Sequence, residues 1–231
     1  MNFSHHPALW AQYPELAAGA LFARGIHRDV DAGAVIARHE ATASQRLAQA
    51  GSESELPEIQ AWRRAFSRMG LKPTQYRCAS ESLLRRFKKE GAMPRIHPLI
   101  DACNSISMAF AIPIAVIDLD RVAGDLQVRH ADGSERYLTF GGETEHPEPG
   151  EVSFVDAQGN AHARRWTNRQ SGLSAVRDAT TQVLIVAEAM HAGAAQDVAR
   201  LLDAVQDALR QVWGVEAQRF VLGADKPTAT S

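Results

Sequence analysis

Cysteine is scarce. Cys78 and Cys103 are the only two in 231 residues, too few for a disulfide framework and without paired metal-ligand spacing. No apolar run approaches the ~18 residues of a membrane-spanning helix. The opening MNFSHHPALW lacks the basic-then-apolar order of a secretory signal, so a cytoplasmic protein is expected. Histidines number nine, but none forms an HExxH-type pair, and Gly141-Gly142 lacks the further glycines and lysine of a phosphate loop. No metal and no cofactor are therefore expected. A thiol nucleophile has little support, because Cys103 falls on the apolar stripe of its helix, where free cysteine acts as a small hydrophobe. Cys78 lies among arginines, which would favour a thiolate if it were exposed.

Charge of one sign is also lacking overall: the formal net charge is −2. That balance hides an asymmetry. Gln60 to Arg95 holds ten basic residues and two acidic ones, Glu81 and Glu90, leaving 15 basic against 25 acidic residues elsewhere. A basic segment on an acidic body is the footprint expected of a polyanion-binding protein. Arg77, Arg85, Arg86, Lys88 and Lys89 are the candidate phosphate contacts. Trp62, Phe66 and Phe87 fall on apolar helical positions, so Tyr76 is the candidate for stacking on an unpaired base.

The first half reads as helical. Asp29 to Ala50 is rich in helix formers and stops at Gly51. Pro57 suits the first turn of a helix running to Met69, and Ser80 suits the cap of one running to Glu90. HPLIDACNSISMAF predicts a third helix of this region, ending ahead of Pro113. IPIAVIDLD then reads as a strand, LQVRH and SERYLTF as a hairpin around Asp132-Gly133, and EVSFVD with AHARRW as a second hairpin. TTQVLIVAEA is a buried strand, Ala195 to Val212 an amphipathic helix, and VEAQRFVLG a last strand. The fold class is α+β, with helices followed by mostly antiparallel sheet and one late helix. Three units are expected: a helical extension over 1–51, a domain over 52–224 and a disordered tail over 225–231.

The segments YRCASESLLRRFKKEGAMPRIHPLIDACNSISMAFAIPIAVIDLD, GEVSFVDAQG, RRWTNRQS and DATTQVL resemble freestanding B3/B4 domain proteins. That domain is the editing domain of the bacterial phenylalanyl-tRNA synthetase β subunit. The resemblance runs from about Trp62 to Glu188. It implies a pocket between the helix carrying Asn104 and the strand ending at Asp118, with Asn104 holding the amino group or terminal ribose of the substrate. It further implies Asn104, Asp118 and Arg169 as the catalytic set, with Arg95, Ala115, Trp166, Asn168 and Gln170 around the substrate. Where the synthetase has a histidine, this chain has Ala115; where it has a Gly-Gly-Glu loop, this chain has Asn168-Arg169-Gln170-Ser171. Such polar changes control which side chain a pocket admits.

By that resemblance the protein would hydrolyse the ester of mischarged tRNA in trans, its partners being the tRNA acceptor end and the attached amino acid. The ester is already activated, so a positioned water and oxyanion donors suffice; Arg169, Arg95 or backbone N–H groups of Gln170 to Gly172 are candidates. A binding module of the same fold without hydrolysis is the alternative, and a small-molecule hydrolase or amino-acid sensor without RNA is a third.

Overall fold

The computed structural model describes residues 1–231. Its strands are β1 (Asn2–His5), β2 (Ala17–Arg24), β3 (Ile114–Asp118), β4 (Leu126–His130), β5 (Tyr137–Leu138), β6 (Thr144–Glu145), β7 (Val152–Asp156), β8 (Ala161–Arg164), β9 (Arg169–Gln170), β10 (Gln182–Ala189), β11 (Gln218–Leu222) and β12 (Thr228–Thr230). Its helices are α1 (Pro7–Gln12), α2 (Gly33–Ala50), α3 (Pro57–Arg68), α4 (Ala79–Glu90), α5 (Pro98–Phe110) and α6 (Ala194–Trp213).

A four-stranded antiparallel sheet, ordered β11-β2-β10-β3, forms the middle layer. Alternating side chains of β10 divide between two cores, because successive strand residues point to opposite faces. Val183, Ile185 and Ala187 pack with α5 and α6, including Cys103, Ile106, Val198 and Leu201. Leu184 and Val186 pack on the other side with α3, α4 and the second sheet, including Trp62, Phe66, Leu84 and Phe154. That second sheet has six strands, ordered β12-β1-β4-β7-β8-β9. Its only parallel pair is β1 with β4.

The helices follow the periodicity of the sequence. Proline opens α3 and α5 at positions where a missing N–H costs nothing, while Gly91 and Gly214 end α4 and α6 in left-handed geometry. One detail of capping differs. Cys78, not Ser80, stands before α4 and lends no side-chain cap; the Ser80 hydroxyl instead donates to the carbonyl of Ala111 (3.1 Å).

Three sequence expectations are corrected. First, residues 1–51 are not a helical extension. β2 lies inside the four-stranded sheet, bonded to β11 on one side and β10 on the other. Its sequence AAGALFAR contains no β-branched residue, so its strand character comes from burial in the sheet rather than propensity. Gly19 allows α6 to settle on it: a Cβ there would come within 2.5 Å of the Leu202 side chain. Second, 225–231 is not disordered, because β12 pairs antiparallel with β1 and buries Ala229. Third, LQVRH and SERYLTF do not pair. β4 pairs with β7, and β5 pairs with β6. The buried Glu135 carboxylate, held 2.8 Å from Arg129, accepts the N–H groups of Asp132 and Gly133 and turns the chain out of the sheet.

Asp156 fastens the β7–β8 turn. It accepts the backbone N–H groups of Ala123, Gln158 and Asn160, the Asn160 side-chain amide, and lies 3.2 Å from His162 Nε2. Burial alone would raise its pKa, but the hydrogen bonds from His162, Asn160 and Ala123 outweigh it and hold the carboxyl well below the usual range. The stabilisation is therefore complete above the unfolded value of about 3.9 and is lost as pH falls toward the folded value. Asp156→Asn should cost about 2–3 kcal/mol at neutral pH and flatten the loss of stability below about pH 4; an unchanged urea midpoint at neutral pH would refute this. Truncation after Ala224 should lower stability by about 1–2 kcal/mol by uncovering β1; the full-length urea midpoint would instead mean that β12 contributes nothing.

Candidate functional site

β3 and β10 lie side by side, and the chain leaving β8 crosses their ends. Ile114 and Ala115 of β3, Val186 and Glu188 of β10, and the segment Trp166 to Gln170 surround a pocket of about 50 Å³. Its walls are mostly apolar. Ala79, the first residue of α4, also borders it and gives its N–H to the Thr167 carbonyl (2.8 Å).

Glu188 is the one acid in the lining and is 2% exposed. Its Oε1 accepts the indole N–H of Trp166 (2.8 Å) and lies 2.6 Å from His5 Nε2. Its main-chain carbonyl accepts the indole N–H of Trp62 (3.3 Å). The second oxygen, Oε2, takes no hydrogen bond from the protein. Thr167, also in the lining, has a buried hydroxyl without a partner. An unpaired carboxylate oxygen and a buried hydroxyl without a partner are thus the polar groups left over in this apolar pocket.

Backbone strain aims the indole. Arg165 and Trp166 are consecutive non-glycine residues in left-handed geometry, with φ of 48° and 56°. Such residues cost about 1–3 kcal/mol each and persist only where the surroundings hold them. Here Arg165 N–H donates to Glu151 Oε1 (2.9 Å) and Trp166 N–H to the Val152 carbonyl (2.7 Å). The indole is then clamped edge-on by Trp62 and Tyr13, with ring centroids 5.2 and 5.0 Å away.

The predicted site residues separate into two groups. Ala115, Trp166, Asn168, Arg169 and Gln170 come together in the lining. Asn168 donates through Nδ2 to the Arg77 carbonyl (2.8 Å), and Gln170 through Nε2 to the Val116 carbonyl (2.6 Å). Arg169 lies at the rim, 3.1 Å from Glu145 and 5.3 Å from the Tyr137 ring. Asn104, Asp118 and Arg95 do not reach this lining. Asn104 is half-buried on α5, which packs chiefly on α2, and makes no side-chain hydrogen bond. Asp118 is spent on structure, accepting the Asp120 N–H (3.0 Å) and the Thr180 hydroxyl (2.7 Å). Arg95 is exposed and pairs with Glu40 (3.2 Å).

The basic segment is less bare than its charge count. Arg63 and Arg77 share Glu81, Arg68 meets Glu15, Arg85 meets Glu53, Arg86 meets Glu90, and Arg95 meets Glu40. Arg64, Lys72, Lys88 and Lys89 have no carboxylate partner, and Lys88 instead donates to the Gly51 carbonyl (2.6 Å). Tyr76 is covered by the Arg165 guanidinium, 4.9 Å from its ring. The most exposed ring is Phe140, at 66%, with the Arg177 guanidinium 6.0 Å from its centroid. Burial pushes both thiols, Cys78 and Cys103, up to about 12, so neither supplies a thiolate.

Sequence reasoning missed Glu188 and Thr167. A single acid inside the apolar run VLIVAEA was the available signal, since an unpaired buried charge is rarely tolerated. Outside the pocket, Glu58, His191 and Asp197 form the one cluster of side chains able to hold a metal ion.

A family model for the B3/4 domain matches residues 61–223. The chain belongs to the B3/4 domain family. The B3/4 region thus contains every residue of the pocket, while His5 bonds Glu188 and β2 pairs with β10 and β11 from before its first residue. Among solved structures, an N-terminal fragment of the phenylalanyl-tRNA synthetase β subunit from Pyrococcus horikoshii is similar, with a TM-score of 0.50 and 10% identity. The match covers 95% of this chain and 53% of that one, so the chain spans about half of its length. At that identity the likeness establishes the α+β fold. No curated protein matches the sequence.

Trp166→Phe keeps the packed ring but withdraws the donor from Glu188. It should cost about 1–3 kcal/mol in denaturant unfolding; wild-type stability would show that the carboxyl does not depend on this bond.

Proposed function

We propose that this B3/4 protein binds the aminoacyl end of tRNA at the pocket and hydrolyses the ester of mischarged species. The observation that carries the reading is the free Oε2 of buried Glu188 in an apolar pocket of a B3/4 domain. An aminoacyl ester presents a cationic ammonium next to a side chain and a reactive carbonyl. Glu188 takes the ammonium, while Ile114, Ala115 and Val186 receive a short apolar side chain. The pocket's small volume, about 50 Å³, favours short side chains over aromatic ones.

Water held in the pocket attacks the ester carbon. Arg169 at the rim meets the developing oxyanion, and the ribose oxygen leaves with the proton of the attacking water. Positioning and preorganised donors supply the rate, each contributing several kcal/mol in favourable cases, so no strong nucleophile is needed. Arg64, Lys72, Lys88 and Lys89 take the phosphates of the acceptor stem; arginines paired to exposed glutamates can exchange partners, since such pairs are worth little. The synthetase fragment supports the fold of this reading, and family membership supports a module related to tRNA synthetases.

A second reading, binding without hydrolysis, rests on Ala115, which places a methyl group in the pocket where the resemblance puts a histidine. One assay separates the two. Purified protein incubated with a panel of mischarged tRNAs should remove the ester from at least one bearing a small side chain, and Glu188→Gln should slow that reaction by about 10²-fold. Salt-sensitive tRNA binding with every ester decaying at the buffer rate would establish the binding module instead.

A further inference from the structure

Away from the pocket, three elements bring potential ligands together. Glu58 on α3, His191 just beyond β10 and Asp197 in the first turn of α6 each offer a ligand atom, all within 4.8 Å of one another. Their side chains are 9%, 8% and 18% exposed, respectively. His191 Nε2 lies 2.7 Å from Asp197 Oδ2. Arg46 donates to Glu58 Oε1 (2.7 Å), and Arg200 pairs with Asp197.

Two atoms remain over. His191 Nδ1 and Glu58 Oε2 are both buried with no hydrogen-bond partner. In the neutral tautomer that gives Nε2–H to Asp197, Nδ1 carries a lone pair, and so does the glutamate oxygen. Neither can donate to the other, and buried acceptors left unmet are costly. An electrophile satisfies both. A histidine whose other nitrogen is oriented by a carboxylate is also the usual arrangement around a bound metal.

We propose that His191 Nδ1 and Glu58 Oε2 bind one divalent first-row cation of the zinc type, with Asp197 orienting the imidazole through Nε2. An imidazole with carboxylates suits such an ion, whereas calcium and magnesium favour all-oxygen sets. Glu58 and Asp197 also border an open polar pocket, shared with Arg46 and Arg200, from which water can complete the coordination. These two guanidiniums, and that of Arg38 in the same pocket, oppose a cation. Arg46 leaves Oε2 free, and the Arg200 side chain is 62% exposed and can swing away from Asp197. The ion would join α3, β10 and α6 behind the pocket, because Glu58 lies one turn before Trp62, which bonds the Glu188 carbonyl.

The test is zinc titration of the chelator-treated full-length protein in competition with a chromophoric chelator, with cobalt absorption as a second readout. One equivalent should bind to the wild type. His191→Gln and Glu58→Gln should each weaken it at least tenfold, and Arg200→Gln should strengthen it by removing a competing cation. If a variant misfolds by circular dichroism, the remaining two decide. Equal affinity in wild type and variants, as with adventitious binding by other histidines, or no bound equivalent at all, would overturn the site.

Discussion

A carboxyl group buried among indole rings must be met by donors, and this constraint organises the molecule. Glu188 sits on β10, yet its partners come from β1, α3 and the turn after β8. Leaving them unpaired would cost more than most single contacts in a domain contribute. The need for the Trp166 indole N–H accounts for two strained residues in succession, and the need for His5 ties the first strand to the middle of the fold. The same carboxyl, met on one oxygen and free on the other, gives the pocket its polarity.

Electrostatics work through pairing rather than through totals. The segment from Gln60 to Arg95 looks like a broad cationic wall in the sequence, but glutamates from the N-terminal part, the turn before α3 and α4 itself neutralise much of it. What remains is a sparser set of cations whose exposed neighbours can trade a carboxylate for a phosphate. Under the proposed function, such a surface gives weak, salt-dependent attraction and leaves selection to the pocket.

The helices were legible because their apolar positions recur at helical spacing and their ends carry proline or glycine. The strand after Pro113, the β7–β8 hairpin and β10 were legible as apolar runs bounded by turns. β2 was not, because AAGALFAR takes its strand form from neighbours distant in sequence. Asn168, Arg169 and Gln170 fall in the pocket lining, on a polar loop at a strand end of the kind where binding groups gather. Asn104 and Asp118 lie outside that lining, because resemblance fixes which residues occupy a segment, not which way a helix presents them or which backbone groups they must satisfy. The metal-ligand cluster escaped for a similar reason: its three members lie on separate elements with no common spacing.

The role given to Glu188 depends on a free ammonium, and a binding measurement isolates it from turnover. Titration with a non-hydrolysable, amide-linked aminoacyl-adenosine carrying a small side chain should show saturable binding, whereas its N-acetylated counterpart should bind at least tenfold more weakly. Equal affinity for the two would contradict the assignment of the buried carboxyl to the substrate's amino group.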